Sequence, residues 1–181
     1  MDYDIKLVIN WPKLNMENFS YRGLTVGKSK INGFGLFADR DYKKDEVLFI
    51  VKGKERRAKF TKSETKTFPN DIAINYEKWI TPFPNNPWIF VNHSCDPNIG
   101  IRGRVTVIAS RYIKKGEELS IDYSMVETNP YWSIKCSCRS PKCRHKIVSF
   151  TKLDKKLKKK YYEYLPAFLK KNISEELLLK K

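Results

Sequence analysis

Apolar positions along this chain come in short bursts cut by turn residues, and a helical stripe begins only after residue 150. Leu24-Thr25-Val26-Gly27 predicts a strand entering a turn. Glu46 to Val51 and Trp88-Ile89-Phe90-Val91 read as buried strands, Ile72 to Ile74 and Trp79-Ile80 as short ones. Arg104 to Ala109 alternates as a strand, and Glu117 to Tyr123 forms a last strand that ends in Asp122-Tyr123. Residues 52–70, rich in Lys, Glu and Thr, read as a solvated excursion. Pro82-Phe83-Pro84-Asn85-Asn86-Pro87 and Lys115-Gly116 mark turns. In Gly33-Phe34-Gly35 two glycines flank an aromatic, with positive φ available at each. The expected fold class is mostly β (α+β), built from several small sheets and no long parallel one.

From Thr151 the period changes. Leu153, Leu157, Tyr161, Tyr164, Leu165, Phe168 and Leu169 recur at spacings of three and four with lysines between them, which predicts a basic amphipathic helix broken at Pro166. Such a stripe packs on its own domain more often than on a membrane or an acidic partner. At the other end, an apolar patch from Ile5 to Ile9 followed by Trp11-Pro12 predicts a short strand or cover segment.

With 181 residues the chain makes one domain with a true core. No apolar run approaches the roughly 20 residues that cross a bilayer, so no membrane partner is expected. The acidic start, Met1-Asp2-Tyr3-Asp4, lacks a stretch suited to a signal peptide. An intracellular protein of the cytoplasm or nucleus is the expectation. The net charge of +16 suits an anionic partner such as nucleic acid or a nucleoprotein particle. The basic residues are mostly lysines, not interleaved with aromatic platforms, which favours non-specific phosphate attraction over base reading.

The chemistry concentrates in two places. Asn92-His93-Ser94-Cys95-Asp96-Pro97-Asn98 offers an amide, an imidazole, a hydroxyl, a thiol and a carboxylate, and its Asp-Pro-Asn is turn chemistry that a core strand would not carry. Cys136, Cys138 and Cys143 lie within eight positions, a spacing that favours a metal over disulfides in a reducing compartment. Structural zinc takes four tetrahedral ligands. The fourth is the distant Cys95 or, as a substitute, His145.

Four stretches, in order, resemble the SET-domain lysine methyltransferases: Gly33-Phe34-Gly35, the run from Asn92 to Asn98, Gly116 to Tyr123, and the cysteine cluster, together spanning roughly residues 24–147. The resemblance implies a SET fold with pseudoknot-like C-terminal threading and a helical tail. It divides the chain into a cover segment 1–23, a SET domain 24–124, a post-SET zinc segment 125–148 and a basic tail 149–181. It implies S-adenosyl-L-methionine as cofactor and a zinc ion held by Cys95, Cys136, Cys138 and Cys143. The substrate it implies is a protein carrying a target lysine, a histone or another basic protein. Tyr123 resembles the family's catalytic tyrosine. Asn32, Gly33, Phe34, Asn92, His93, Tyr123 and Ile147 match its cofactor contacts.

Two departures stand out. Ile121 occupies a position where many members carry the Phe or Tyr that limits methyl number, so more than one methyl is expected unless Tyr131 or Trp132 refills the space. His145 stands where the family often has glycine. The competing reading is a non-catalytic zinc-containing basic module that binds nucleic acid.

Overall fold

Period-two patterning and turn residues produce short strands throughout the computed structural model, which describes residues 20–60 and 70–178. The strands are β1 (Ser20–Tyr21), β2 (Leu24–Lys28), β3 (Phe34–Ala38), β4 (Val47–Ile50), β5 (Gly53–Arg57), β6 (Ile72–Asn75), β7 (Lys78–Pro82), β8 (Asn92–His93), β9 (Ile99–Arg102), β10 (Thr106–Ala109), β11 (Glu118–Ile121), β12 (Ser133–Lys135) and β13 (Lys146–Val148). They form four small sheets, β1-β2-β3-β11-β8, β4-β10-β9, β5-β7-β6 and β12-β13. The mostly β class with small sheets is what the patterning predicts. The segment expected at Ile5 to Ile9 lies outside the described residues.

Several elements differ from expectation, some through local caps and some through pairing with distant strands. Trp88 to Val91 is not a strand: Pro87–Phe90 makes a 3-10 turn, started by Pro87 and capped by Asn86, whose side chain accepts from Trp88 N. Asn92 and His93, in a run whose Asp-Pro-Asn turn chemistry argues against a core strand, are a buried two-residue strand paired in parallel with β11. β4 is present, but Val47 and Ile50 are exposed because it is the edge of its sheet. The solvated excursion contains β5, paired residue for residue with β7. β11 ends at Ile121, because the Asp122 side chain caps a 3-10 turn over Tyr123–Met125. It is not the last strand, since β12 and β13 follow as a short antiparallel ribbon.

The tail divides into α1 (Lys155–Tyr161) and α2 (Ala167–Leu178), with extended backbone at Leu165 before the predicted break at Pro166. Asp154 caps α1 by accepting from Leu157 N at 2.9 Å. Leu153, Tyr161, Leu165, Leu169 and Ile173 join the same core cluster as Leu36, Ile99, Ile101, Leu119 and Ile121. At roughly 1.5–3 kcal/mol for each large apolar side chain buried, they make the tail part of the domain's stability.

Candidate active site and metal centre

β8 and β11 lie side by side with Ser120 opposite Asn92 and Ile121 opposite His93. Ser94 N donates to Ile121 O at 3.0 Å and Asn98 N to Ser120 O at 3.1 Å, so the polar run wraps the end of β11. Asn98 completes the wrap, its Oδ1 accepting from Ser120 N at 2.8 Å. Residues separated by more than twenty positions thereby meet at one strand end.

A single carboxylate organises the next layer. Glu118 Oε1 accepts from Ser29 Oγ at 2.7 Å and from Asn92 Nδ2 at 2.8 Å. The same Asn92 amide also faces the carbonyls of Asn32 and Phe34 at 3.2 and 3.1 Å. The turn from Ser29 to Gly33 is closed by Ser29 N donating to Gly33 O at 2.9 Å. Gly33 has φ of +49°, as expected, and nothing lies within 4 Å of where its Cβ would be. Gly35 does not use positive φ: it sits in β3, and a Cβ there would come 2.4 Å from Glu118 Oε1. Glycine at 35 makes room for the carboxylate that ties turn to hallmark.

Tyr123 is half-buried beside this turn. Its hydroxyl donates to Val91 O at 2.9 Å, and its backbone N–H donates to His93 Nδ1 at 3.1 Å. Burial, with Glu118's charge, pushes the phenol above its ordinary range, so it stays protonated at neutral pH. Burial also pushes His93 down to about 4, with Arg144 acting in the same direction and Asp122 opposing. A neutral His93 that accepts at Nδ1 carries its proton on Nε2, 3.3 Å from Cys95 Sγ. Below it, fully buried Asp122 pairs with Arg144 at 2.7 Å. The Tyr161 hydroxyl of α1 reaches Cys95 O at 3.5 Å.

The cysteines converge. Cys95 Sγ and Cys136 Sγ are 3.7 Å apart, and Cys136 Sγ and Cys143 Sγ 3.6 Å apart. A tetrahedral zinc with Zn–S bonds of about 2.3 Å separates its sulfurs by about 3.8 Å, so the spacing fits the ion. Backbone N–H groups point at the sulfurs, from Arg144 to Cys95 at 3.4 Å, His145 to Cys143 at 3.4 Å and Cys95 to Cys138 at 3.5 Å, as thiolates require. Donor atoms of His93, Cys95, Cys136 and Cys138 also lie within 4.8 Å of one another. Geometry alone therefore offers Cys143 or His93 for the fourth place.

Ile147 is buried against the cysteines, with Ile31, Trp132, Ile134 and Tyr123 partly buried around it. Tyr123 touches this cluster and the main core alike. Ile121 is fully buried in the main core, Trp132 is half-buried on the cysteine side and Tyr131 is exposed. Ile121 and Trp132 thus belong to different clusters, and Tyr131 to neither. The His145 side chain is exposed, and its backbone has φ of +59°, the left-handed region. Glycine, expected here from the resemblance, would adopt that conformation at no steric cost. Sequence reading missed Ser29, Ile31, Glu118, Arg144 and Tyr161. Glu118 lay inside the Gly116 to Tyr123 motif and Tyr161 in the helical stripe, but neither pattern gave these two side chains a place in the site.

One carboxyl nearby titrates unusually. Burial, and Asp71's charge after it, raise Glu127 to about 7, against the opposing Asn129 and Thr128 amides and Arg56. An unfolded glutamate ionises near pH 4.3. The neutral form's contribution to stability is therefore complete below about pH 4.3 and is lost as pH rises through 7. Glu127→Gln is expected to match the parent in acid and to exceed it at pH 8 by up to about 3–4 kcal/mol, read from denaturant midpoints. Equal midpoints at pH 8 would contradict the buried ionisation.

Comparison with known proteins identifies the family. The family model described as the SET domain matches residues 33–124. Histone-lysine N-methyltransferase trr of Drosophila melanogaster is 27% identical over 133 residues, covering 66% of this chain and 6% of the relative. Histone-lysine N-methyltransferase 2D of Homo sapiens is 29% identical over 133 residues, covering 66% of this chain and 2% of the relative. This chain thus spans a small fraction of those relatives' length. The solved structure of ctPRC2 in an autoinhibited conformation bound to S-adenosylmethionine aligns with TM-score 0.46 and 22% identity, over 56% of this chain and 15% of that one.

Proposed function

Because the chain belongs to the SET-domain family, we propose that it is a protein-lysine methyltransferase that uses S-adenosyl-L-methionine. The observation that carries this reading is the meeting of Tyr123, Asn92, His93 and the Ser29–Phe34 turn at the end of β11, beside open space at Gly33. When bound, the cofactor supplies an electrophilic methyl group on a positively charged sulfur.

The chain's own residues do the positioning. Gly33, Asn32 and Phe34 present backbone to the cofactor's amino-acid end, while Asn92, held by Glu118, keeps that turn in place. His93 and Ile147 form the adenine side. The Tyr123 hydroxyl, with its proton committed to Val91 O, presents its lone pairs to the reacting centre as an acceptor. Because the phenol stays protonated it orients the amine without taking its proton. Desolvation at the site would disfavour the ammonium form of the incoming lysine, whose ordinary pKa is about 10.4. Alignment then supplies much of the acceleration.

The zinc ligands in this reading are Cys95, Cys136, Cys138 and Cys143. His93 is left outside the set because Tyr123 N occupies its Nδ1, so its Nε2–H is a donor to the Cys95 sulfur. Residues 125–148 then form one wall of a site whose body is residues 24–124, with the tail packed behind it.

Ile121, fully buried and without a polar atom, cannot hold the amine or a water. Intact-mass analysis of the product is expected to show di- or trimethylated lysine, and strictly monomethylated product would contradict this. Substrates of the reading are histones or other basic proteins within nucleoprotein particles, in the nucleus. A +16 enzyme repels free basic tails, and nucleic acid reverses the sign. At low salt, methylation of nucleosomes is expected to exceed that of free histones by about tenfold, narrowing as salt screens the field. Equal rates would sink the particle as substrate.

Titration calorimetry with S-adenosyl-L-methionine separates this reading from the non-catalytic module. Binding is expected, and its absence in zinc-loaded protein favours the module.

A further inference from the structure

The charge of this molecule is unevenly placed. Eleven of the residues from 135 to 160 are Lys or Arg and one, Asp154, is acidic, so this stretch supplies ten of the sixteen net charges. Elsewhere Arg40, Arg56, Arg104 and Arg111 are matched with Glu46, Asp71, Glu55 and Glu117. In the basic stretch, exposed Lys135, Arg139, Lys146, Lys152, Lys155, Lys156 and Lys159 form no ion pair with described residues.

Their arrangement works against local stability. Lys135 faces Lys146 directly across the β12–β13 ribbon, a pairing of like charges that destabilises a sheet. Lys155 and Lys159, and Lys156 and Lys160, are i,i+4 pairs of like charge on α1. Lys155 and Lys156 also sit in the first turn of α1, where the helix dipole disfavours cations. Metal segment and helix meet at Asp96, whose carboxylate is 3.0 Å from Lys142 Nζ and 3.7 Å from Lys160 Nζ. Uncompensated repulsion gathered on adjoining elements is relieved by an external polyanion.

We propose that this face, formed by the cysteine segment and α1, binds the phosphate backbone of duplex nucleic acid and docks the enzyme on its nucleoprotein substrate. The docking role rests on the methyltransferase reading; the binding itself does not. Two features select nucleic acid duplex among polyanions. The apolar side chains of α1, Leu157 and Tyr161, pack into the domain core, leaving none to enter a bilayer. The exposed large hydrophobics, Phe34, Val47, Ile50, Tyr76, Phe83, Tyr112 and Tyr131, all lie outside residues 135–160, so bases find no stacking platform there. Lysines meet phosphates as point charges, without reading sequence.

The test uses the full zinc-loaded chain and a short DNA duplex of arbitrary sequence, without cofactor, by fluorescence anisotropy from about 50 to about 200 mM salt. Replacing Lys152, Lys155, Lys156 and Lys159 with Gln is expected to weaken binding at least tenfold at the lower salt. It should also flatten the log–log salt slope by up to about 3.6, at roughly 0.9 for each of four phosphates no longer neutralised. Arginine at the same four positions should restore binding, and Gln at Lys135, Arg139 and Lys146 should weaken it independently. Unchanged affinity in both Gln variants, or tighter binding to phosphatidylserine vesicles than to DNA, overturns the proposal. Methylation of free histone should hold or rise in the four-Gln variant, because its repulsion of basic tails falls, while methylation of nucleosomes falls. If neither substrate is methylated by the parent chain but DNA binding behaves as stated, the enzymatic reading fails and the face stands.

Discussion

Tyr123→Phe is expected to slow methyl transfer by about 10²–10³-fold, the range for losing one preorganised polar group at a reacting centre, with cofactor affinity nearly unchanged. The hydroxyl is the only atom removed. Its hydrogen bond to Val91 O locks the ring against the strand that carries Asn92, so the lone pairs have one direction. Tyr123 N still donates to His93 Nδ1, and Asn92 still holds the Ser29–Phe34 turn, so the expected cofactor contacts remain. The Val91 carbonyl loses a partner, which adds a stability loss of about 1 kcal/mol. Single-turnover rates beside calorimetry separate these effects. A variant that binds cofactor equally and transfers at the parent rate would remove Tyr123 from the mechanism.

Removal of the metal is expected to have the second largest effect. Four-ligand structural zinc is worth about 10–16 kcal/mol in small folds, so each thiolate carries on the order of 3–4 kcal/mol. Cys95→Ser should therefore lower zinc affinity at least 100-fold. Because Cys95 stands two residues from His93, the same change loosens the wall that carries Ile147 and Trp132 and reduces activity along with metal content. Cys143→Ser should lower zinc content equally. His93→Gln should keep zinc, since the imidazole donates to a sulfur instead of binding the ion. Zinc lost in His93→Gln and retained in Cys143→Ser would reverse the ligand assignment.

Much of the fold was legible because turn residues and period-two patterning act locally. β2, β6, β7 and β10, and the break at Pro166, follow from neighbours in sequence. The failures have two causes, a local cap that overrides strand composition and pairing with strands distant in sequence. Trp88 to Val91 has strand composition, yet Asn86-Pro87 starts a 3-10 turn there. Asn92-His93 stands in a run that its Asp-Pro-Asn turn chemistry argues out of a core strand, yet parallel pairing with β11 makes a strand of its first two residues. The hallmark, the cysteines and Tyr123 were visible as residue types. Ser29, Glu118 and Arg144 were not, because their roles arise from contacts across 89, 26 and 22 positions. Gly35 was noticed for the wrong property: the constraint is the Glu118 carboxylate beside it.

The central claim is transfer of methyl groups to lysine. Its most direct measurement is peptide mass spectrometry of nucleosomes incubated with the zinc-loaded chain and isotopically labelled S-adenosyl-L-methionine. Labelled methyl on a lysine amine, absent with Tyr123→Phe, is the predicted result. No labelled lysine in any protein of the particle, from a chain that binds both zinc and cofactor, would contradict it.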